Sequence, residues 1–125
     1  DEKIRRVVMC SGKVYYDLLE EREERGLDDV YLLRVEQFYP FPMKSLIDEL
    51  KRFTGADMVW CQEEPKNMGG WTFVEPYIEF CLDKAGAKTK RPRYAGRAAS
   101  ASTATGVLSK HQAQQKALID DALGS

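Results

Sequence analysis

Apolar residues recur along this chain in two patterns that alternate. The first is a short continuous run, typical of a strand that is covered on both faces of a sheet. Four strands are predicted from such runs, at residues 4–10, 30–37, 57–62 and 93–96, and the last is short and weak. The second pattern fills the intervals between the runs and has the spacing of a helix.

Three intervals carry one apolar stripe each, which predicts an amphipathic helix that packs on a sheet. The stripes are Val14, Tyr15, Leu18 and Leu19; Met43, Leu46, Ile47, Leu50 and Phe53; and Val74, Tyr77, Ile78, Cys81 and Leu82. Gly26, Gly55 and Gly86 follow the stripes and predict the helix ends.

The start of the third helix has two possible positions. Thr72 and Glu75 have the spacing of a capping box, whereas Pro76 is suited to the first helical turn. A fourth helix is predicted from a second capping box, Ser109 with Gln112, to about Leu123.

Alternating strands and helices predict an α/β protein. The expected architecture is a three-layer α/β/α fold, with a mainly parallel, doubly wound sheet and helices on both faces. The 125 residues suit a single domain. The chain starts without methionine, which suggests a domain excised from a longer protein.

Charge and cysteine content narrow the class of partner. With 19 basic and 20 acidic residues the net charge is −1, which argues against nucleic acid or an anionic membrane as partner. No apolar run reaches the about 20 residues that span a bilayer. Three cysteines without CxxC spacing predict buried thiols in a reducing compartment, and neither a disulfide framework nor a zinc site.

The most unusual chemistry lies in residues 60–71, where the third strand gives way to a turn and a helix. In open α/β sheets, turns at the carboxyl ends of strands bind ligands and partners. Glu63 and Glu64 are candidates for an acid/base pair, but adjacent residues leaving a strand point in opposite directions. We therefore predict no catalytic residue here and expect a helix cap or an interface contact.

A second candidate site follows the first strand. Ser11, Gly12 and Lys13 open a helix, and backbone N–H groups at a helix start can bind an anion. The segment lacks the GxGxxG and GxxxxGK[ST] patterns, so a plain tight turn is the alternative.

Several residues suggest a contact surface. Tryptophan is enriched at interface hot spots, and the small side chains of residues 97–106 allow close approach of another surface. His111, the only histidine, has no companion for a metal site or a catalytic triad. The predicted interface residues are Trp60, Glu64, Asn67, Trp71, Arg97, Ser100, Ser102 and His111.

Five stretches together resemble the C-terminal domain of 2-oxoglutarate dehydrogenases. They are VVMCSGKVYYDLL (7–19), RVEQFYPFP (34–42), VWCQEEPKNMGGW (59–71), RYAGRAASASTATG (93–106) and HQAQQKALI (111–119). The resemblance covers nearly the whole chain in the same order. It implies a transketolase C-terminal-domain-like fold, with an antiparallel edge strand possible from the chain's start.

The resemblance also implies a function for the longer enzyme. That enzyme decarboxylates 2-oxoglutarate on thiamine diphosphate and passes succinyl to the lipoyl group of a succinyltransferase component. Its cofactor and Mg²⁺ are held by other domains, and no GDG…NN motif occurs here. The implied role of this domain is structural: it packs on the other domains and helps hold a homodimer, in the bacterial cytoplasm or the mitochondrial matrix.

Two alternatives remain at this point. One is a regulatory module that binds a nucleotide or phosphate near Gly12 and Gly69, at the crevice of the sheet. The other is the same domain of a 2-oxoadipate dehydrogenase, since substrate choice is made in other domains.

Overall fold

The computed structural model describes residues 3–36, 41–97 and 108–124, and in the last range it describes side chains from residue 112 onward. Strands and helices alternate along the chain, as the apolar pattern predicts. The elements are β1 (Arg6–Cys10), α1 (Val14–Glu24), β2 (Val30–Arg34), α2 (Met43–Leu50), a 3₁₀ helix (Lys51–Phe53), β3 (Asp57–Pro65), α3 (Trp71–Ala85), β4 (Arg93–Arg97) and α4 (Leu108–Leu123).

The four strands form one sheet in the order β2-β1-β3-β4, and every neighbouring pair is parallel. The predicted α/β class with a doubly wound parallel sheet is confirmed. β1 and β3 are central, and the chain leaves them toward opposite edges, so the switch point lies between them. The antiparallel edge strand that the resemblance allowed is absent from the described N-terminal residues, which lead into central β1.

Each face of the sheet has its own apolar core, because successive side chains of a strand point to opposite faces. Helices α2 and α3 cover one face, and α1 and α4 cover the other. The first core contains Val7, Met9, Met58 and Trp60 with Leu46, Leu50, Val74, Ile78, Cys81 and Leu82. The second contains Val8, Cys10, Val59 and Cys61 with Val14, Leu18, Leu118, Ile119, Ala122 and Leu123.

The start of α3 differs from both predictions. The helix begins at Trp71, and the carbonyl of Gly70 accepts hydrogen bonds from the N–H groups of Phe73 and Val74 at 3.0 and 2.8 Å. Thr72 therefore lies inside the first turn, and Pro76 lies within the helix. Local capping patterns failed here because a side chain from β3, described below, holds the N–H of Trp71.

The other boundaries shift by a few residues. β3 runs three residues beyond its predicted end because β4 continues to pair with it across a register shift between Gln62 and Pro65. β2 ends earlier than predicted, at Arg34. α4 includes Ser109 within the helix, so Ser109 is not its N-cap. Among the described residues, no helix combines the length and hydropathy that a membrane span requires.

Candidate functional site

The carboxyl ends of β1 and β3 meet at the switch point, and the polar residues singled out by the sequence follow these two strands. We call residues 11–13, 62–71 and 94–97 together the carboxyl edge. Ligands of open α/β sheets bind at this position, so the carboxyl edge is the candidate functional site.

The carboxyl edge is built on Gln62, a polar residue that is only 2 % exposed. Its Oε1 accepts hydrogen bonds from Trp60 Nε1 and from the backbone N–H of Trp71, both at 2.9 Å. Its Nε2 lies within hydrogen-bond distance of three carbonyls of the turn, those of Glu64 (3.1 Å), Pro65 (2.9 Å) and Met68 (2.8 Å), which share its two N–H groups. The side chain thus ties the end of β3, the turn and the start of α3 together.

Sequence reasoning missed Gln62. The sequence did contain a signal for it: Gln62 is an amide at the end of an apolar strand run. A buried amide needs hydrogen-bond partners, and the carbonyls of the turn that comes next in the chain can supply them. The pattern of partners depends on the folded turn and could not be read from the sequence.

Trp71 and Tyr94 form an aromatic pair on the same edge, with ring centroids 5.3 Å apart. The hydroxyl of Tyr94 donates to the carbonyl of Arg97 at 2.6 Å. Burial raises the pKa of Tyr94 to about 12, so the hydroxyl remains a donor at neutral pH. The contact prediction for Trp71 therefore falls on a half-buried ring that already packs within the domain.

Gly96 allows β4 to approach this aromatic pair closely. A Cβ at that position would lie 2.6 Å from the hydroxyl oxygen of Tyr94 and 2.8 Å from the carbonyl oxygen of Gln62. Both distances are shorter than real Cβ contacts, so only glycine fits without a shift of the strand.

Arg97 connects β4 with β3 and α4. Its guanidinium donates to the carbonyl of Glu63, to Gln115 Oε1 at 3.0 Å and to Gln114 Oε1 at 3.3 Å. Gln115 Nε2 in turn donates to Glu63 Oε1 and to Asp17 Oδ2, both at 2.9 Å. These groups form a polar network that joins α1, β3, β4 and α4.

The carboxyl groups of the two turn glutamates have different neighbours. Glu63 belongs to the network with Gln115, whereas the exposed Glu64 lies beside Gly69. Glu63 is held by hydrogen bonds to side chains of its own domain, which is a structural arrangement.

The predicted anion site already contains carboxylates of the protein. The N–H of Gly12 donates to Glu36 Oε1 at 3.1 Å, and Lys13 Nζ lies 3.9 Å from Glu63 Oε2. An external phosphate would have to displace Glu36, so the geometry favours a tight turn at Ser11, Gly12 and Lys13. Anion binding there remains a prediction.

Cys10 and Cys61 are opposite each other in neighbouring strands, and both are fully buried, as is Cys81. The prediction of buried free thiols is confirmed. Burial raises the pKa of Cys10 to about 12 and raises the pKa of Cys61 well above its ordinary value. Neither thiol is prepared to act as a nucleophile at neutral pH.

The remaining interface predictions have mixed outcomes. Trp60 has no exposed surface, which makes it a core residue and corrects its assignment to a contact surface. Asn67 is exposed at the turn. Ser100 and Ser102 lie outside the described residues; His111 lies in α4, but its side chain is outside the described part.

The chemistry of the carboxyl edge is that of a packed structural junction. The described residues contain no group of three or more His, Cys, Asp or Glu side chains placed to hold a metal ion. A diphosphate needs available N–H donors and positive charge. Here the N–H of Gly12 donates to the carboxylate of Glu36, and the ammonium group of Lys13 is paired with the carboxylate of Glu63. The described edge therefore does not fit thiamine diphosphate with Mg²⁺.

Comparison with known proteins gives a consistent result. Residues 1–123 match the family described as 2-oxoglutarate dehydrogenase C-terminal. The 2-oxoglutarate dehydrogenase E1 component of Brucella anthropi is 69% identical over 125 residues, which are 100% of this chain and 12% of that protein. Those of Brucella ovis and Brucella canis are 69% identical over 124 residues, 99% of this chain and 12% of each protein. The chain thus spans only 12% of the length of these curated relatives.

Proposed function

This chain belongs to the 2-oxoglutarate dehydrogenase C-terminal family, and on that premise we propose that it is the C-terminal structural domain of a 2-oxoglutarate dehydrogenase E1 component. The observation that carries the proposal is the 69% identity to such E1 components over the whole chain. Identity at this level over the full length of the chain supports assignment of the domain to an E1 component of this kind.

The proposed parent oxidatively decarboxylates 2-oxoglutarate. Thiamine diphosphate and Mg²⁺, held by other domains, supply the decarboxylation chemistry, and the succinyl group passes to the lipoyl arm of the succinyltransferase component. We place this enzyme as a homodimer in the cytoplasm of a bacterium or in a mitochondrial matrix; the three compared relatives are bacterial, which favours the first location.

The domain's own role is assembly. Its polar groups at the carboxyl edge are used to hold the domain together, as the bonds of Gln62 and Arg97 illustrate. The alternative of a phosphate-binding module has no comparable support, because Glu36 occupies the N–H of Gly12. The family comparisons likewise support the 2-oxoglutarate enzyme and not the 2-oxoadipate enzyme.

The test compares two purified proteins, the 125-residue chain and the full-length enzyme that contains it. Decarboxylation is measured with thiamine diphosphate, Mg²⁺ and an artificial electron acceptor, on 2-oxoglutarate and on 2-oxoadipate. We expect turnover of 2-oxoglutarate by the full-length enzyme only. Turnover by the short chain would contradict the structural role, and a full-length preference for 2-oxoadipate would contradict the proposed substrate.

A further inference from the structure

Two surfaces of opposite charge lie outside the carboxyl edge, and the first is on helix α1. Five of its eleven residues are acidic, whereas Arg22 is its one basic residue. Side chains three and four residues apart lie on the same side of a helix, so Asp17, Glu20, Glu21 and Glu24 form one row. We call these four residues the acidic stripe.

The acidic stripe does not stabilise the helix that carries it. Glu20 and Glu24 are four residues apart, and like charges at that spacing destabilise a helix. Glu24 also lies in the last turn, where the helix dipole favours positive charge. Neither carboxylate has an ion pair or hydrogen bond with another described residue, so a basic partner would relieve the repulsion between them.

A hollow of about 360 Å³ lies beside the acidic stripe, between α1 and α4, and we call it the acidic groove. Acidic residues line it on both sides: Asp17, Glu20, Glu21 and Asp120. Arg25 pairs with Glu21 at 2.8 Å and also with Asp120, and Lys116 pairs with Asp120 at 3.2 Å. The charge of Glu20 is offset by no ion pair with a described residue, so the groove can still accept a cation of a partner.

The second charged surface is the segment between α3 and β4. Residues 84–93, which we call the basic loop, include five basic residues and no acidic one. Arg91 and Arg93 form ion pairs with acidic residues of α3 and α4, at 3.4 and 2.9 Å. The exposed side chains of Lys88 and Lys90 have no ion pair or hydrogen bond with another described residue. These two ammonium groups are therefore available to a partner.

The basic loop has a fixed backbone. Three hydrogen bonds hold it: Ala87 N–H to the carbonyl of Leu82 (3.0 Å), Lys88 N–H to the carbonyl of Thr54 (2.7 Å) and Thr89 Oγ1 to the carbonyl of Ala56 (3.1 Å). The nearest acidic residues along the chain are Glu79, which is paired with Arg91, and Asp83, so the region keeps a net positive charge. Because the backbone is already ordered, binding through Lys88 and Lys90 costs little backbone entropy.

We propose that the basic loop of one molecule docks in the acidic groove of a second copy of this chain. Charge complementarity identifies this occupant, because both surfaces belong to the same chain and each carries charged side chains that the described fold leaves unpaired. The overall charge of −1 adds no strong repulsion between copies. Nucleic acid or an anionic membrane fits the loop less well, since the acidic stripe repels an extended anionic surface.

The contact joins two different surfaces and is therefore heterologous. Each copy presents one loop and one groove, so such contacts continue from copy to copy and do not end at a pair. Helices α1 and α3 cover opposite faces of the sheet, and no ion pair among the described residues joins the loop that follows α3 to α1. Exposed ion pairs are individually weak and are screened by salt, so low ionic strength favours the association. The inference goes beyond the proposed function, because it concerns contacts between separate molecules.

The test uses two double variants of the 125-residue chain, Lys88→Gln with Lys90→Gln and Glu20→Gln with Glu24→Gln. Sedimentation equilibrium at an ionic strength of about 0.02 M, where screening is weak, measures the average mass as the concentration is raised. We expect the wild-type mass to rise beyond that of a dimer and to return to the monomer value in about 0.5 M salt. Each variant alone should remain a monomer. An equimolar mixture of the two should form pairs and no larger species, because one variant keeps only the groove and the other only the loop.

The matched control is Lys13→Gln with Lys44→Gln, which removes the same charge at two exposed lysines outside the loop and should associate like wild type. Loss of association in this control overturns the proposal, as does a wild-type chain that stays monomeric at low salt. Association that either groove or loop variant retains alone also overturns it. A wild-type assembly that ends at a dimer, or a mixture that stays monomeric, has the same consequence. The decarboxylation assay of the full-length enzyme is independent of these measurements, so failure of the proposed function is recognised separately.

Discussion

At the scale of single residues, Gln62 decides how the chain passes from β3 into α3. Its amide oxygen accepts from two N–H donors, its two N–H groups are shared among three carbonyls, and all five partners lie within residues 60–71. The stretch that carries the most unusual sequence is therefore held by one buried side chain. The carboxylates of Glu63 and Glu64, which attract attention first, take no part in these bonds.

Replacing Gln62 with Met keeps the volume and removes every one of these bonds. We expect the free energy of unfolding to fall by about 2–4 kcal/mol, because a buried polar group left unsatisfied costs about 1–3 kcal/mol and several are affected. Urea unfolding of the 125-residue chain measures the loss. Gln112→Met is the control, since Gln112 is exposed on α4. Equal stability of the two variants would contradict the role given to Gln62.

Gly96→Ala tests the close approach of β4 to the aromatic pair. The added methyl would meet Tyr94 and the carbonyl of Gln62, and overpacking of this kind costs about 1–3 kcal/mol. Gly55→Ala is the matched control, because a Cβ at position 55 would have no other atom within 4 Å. Thermal unfolding should show a lower melting temperature for the first variant and an unchanged or higher one for the second. The reverse order is incompatible with the described packing.

At the scale of elements, the carboxyl end of α4 is held by arginines from three other elements or their flanks. Free carbonyls at a helix end need donors, and positive charge there offsets the helix dipole. Four arginines donate hydrogen bonds to backbone carbonyls there: Arg5 to Leu123 (3.3 Å), Arg6 to Asp121 and Ala122 (3.2 and 3.1 Å), Arg25 to Gly124 (3.0 Å) and Arg93 to Asp121 (3.0 Å). These bonds attach the end of α4 to the amino-terminal ends of β1 and β4 and to the end of α1.

Arg6→Lys should weaken this attachment. Arg6 is 16% exposed in its side chain, and it binds two carbonyls of α4 while also reaching Asp57 at 3.2 Å. A lysine ammonium is a single point charge without the planar fork that reaches Asp57 with one nitrogen and the α4 carbonyls with the other, so we expect a loss of about 1–2 kcal/mol and faster amide exchange at the end of α4. Arg91→Lys, at a side chain that is 71% exposed, should change stability little. Unchanged exchange in α4 would argue against the attachment.

At the scale of the whole molecule, stability depends on two cores that share one sheet. The same strands supply both, so titratable groups buried in either core affect the entire fold. Burial raises the pKa of Cys10 from 9.0 to about 12, that of Cys81 from 9.0 to about 11 and that of Tyr94 from 10.0 to about 12.

These shifts predict alkaline destabilisation. Between the unfolded and the folded pKa, the folded state holds the proton and the unfolded state has lost it, so the free energy of unfolding decreases as pH rises. The contribution is complete below about pH 9 and is lost as pH rises through the folded values. Urea unfolding at increasing pH should show this decline, and Cys10→Ala should make it shallower. Stability that rises over the same interval would contradict the burial of these groups.

Much of the element pattern was predictable because it depends on short-range spacing. The continuous run at Val7–Cys10 and the helical stripe around Val74 and Ile78 each identify their element, and Gly26 and Gly86 adopt the positive φ expected after helices. The start of α3 was not predictable, since it depends on Gln62 and not on the nearby Thr72. The contact role of Trp60 was wrong because burial depends on the packing of α2 and α3.

The sequence by itself determined the alternation of strands and helices, the parallel two-faced sheet and the family. These follow from apolar periodicity and from long stretches of shared residues, both of which are written along the chain. Only the tertiary structure decided the partners of Gln62 and Arg97, the carboxylate at Gly12 and the solvent exposure of Phe73 and Phe80. Each depends on contacts between side chains of different segments of the chain, and the structural role of residues 60–71 follows from such contacts.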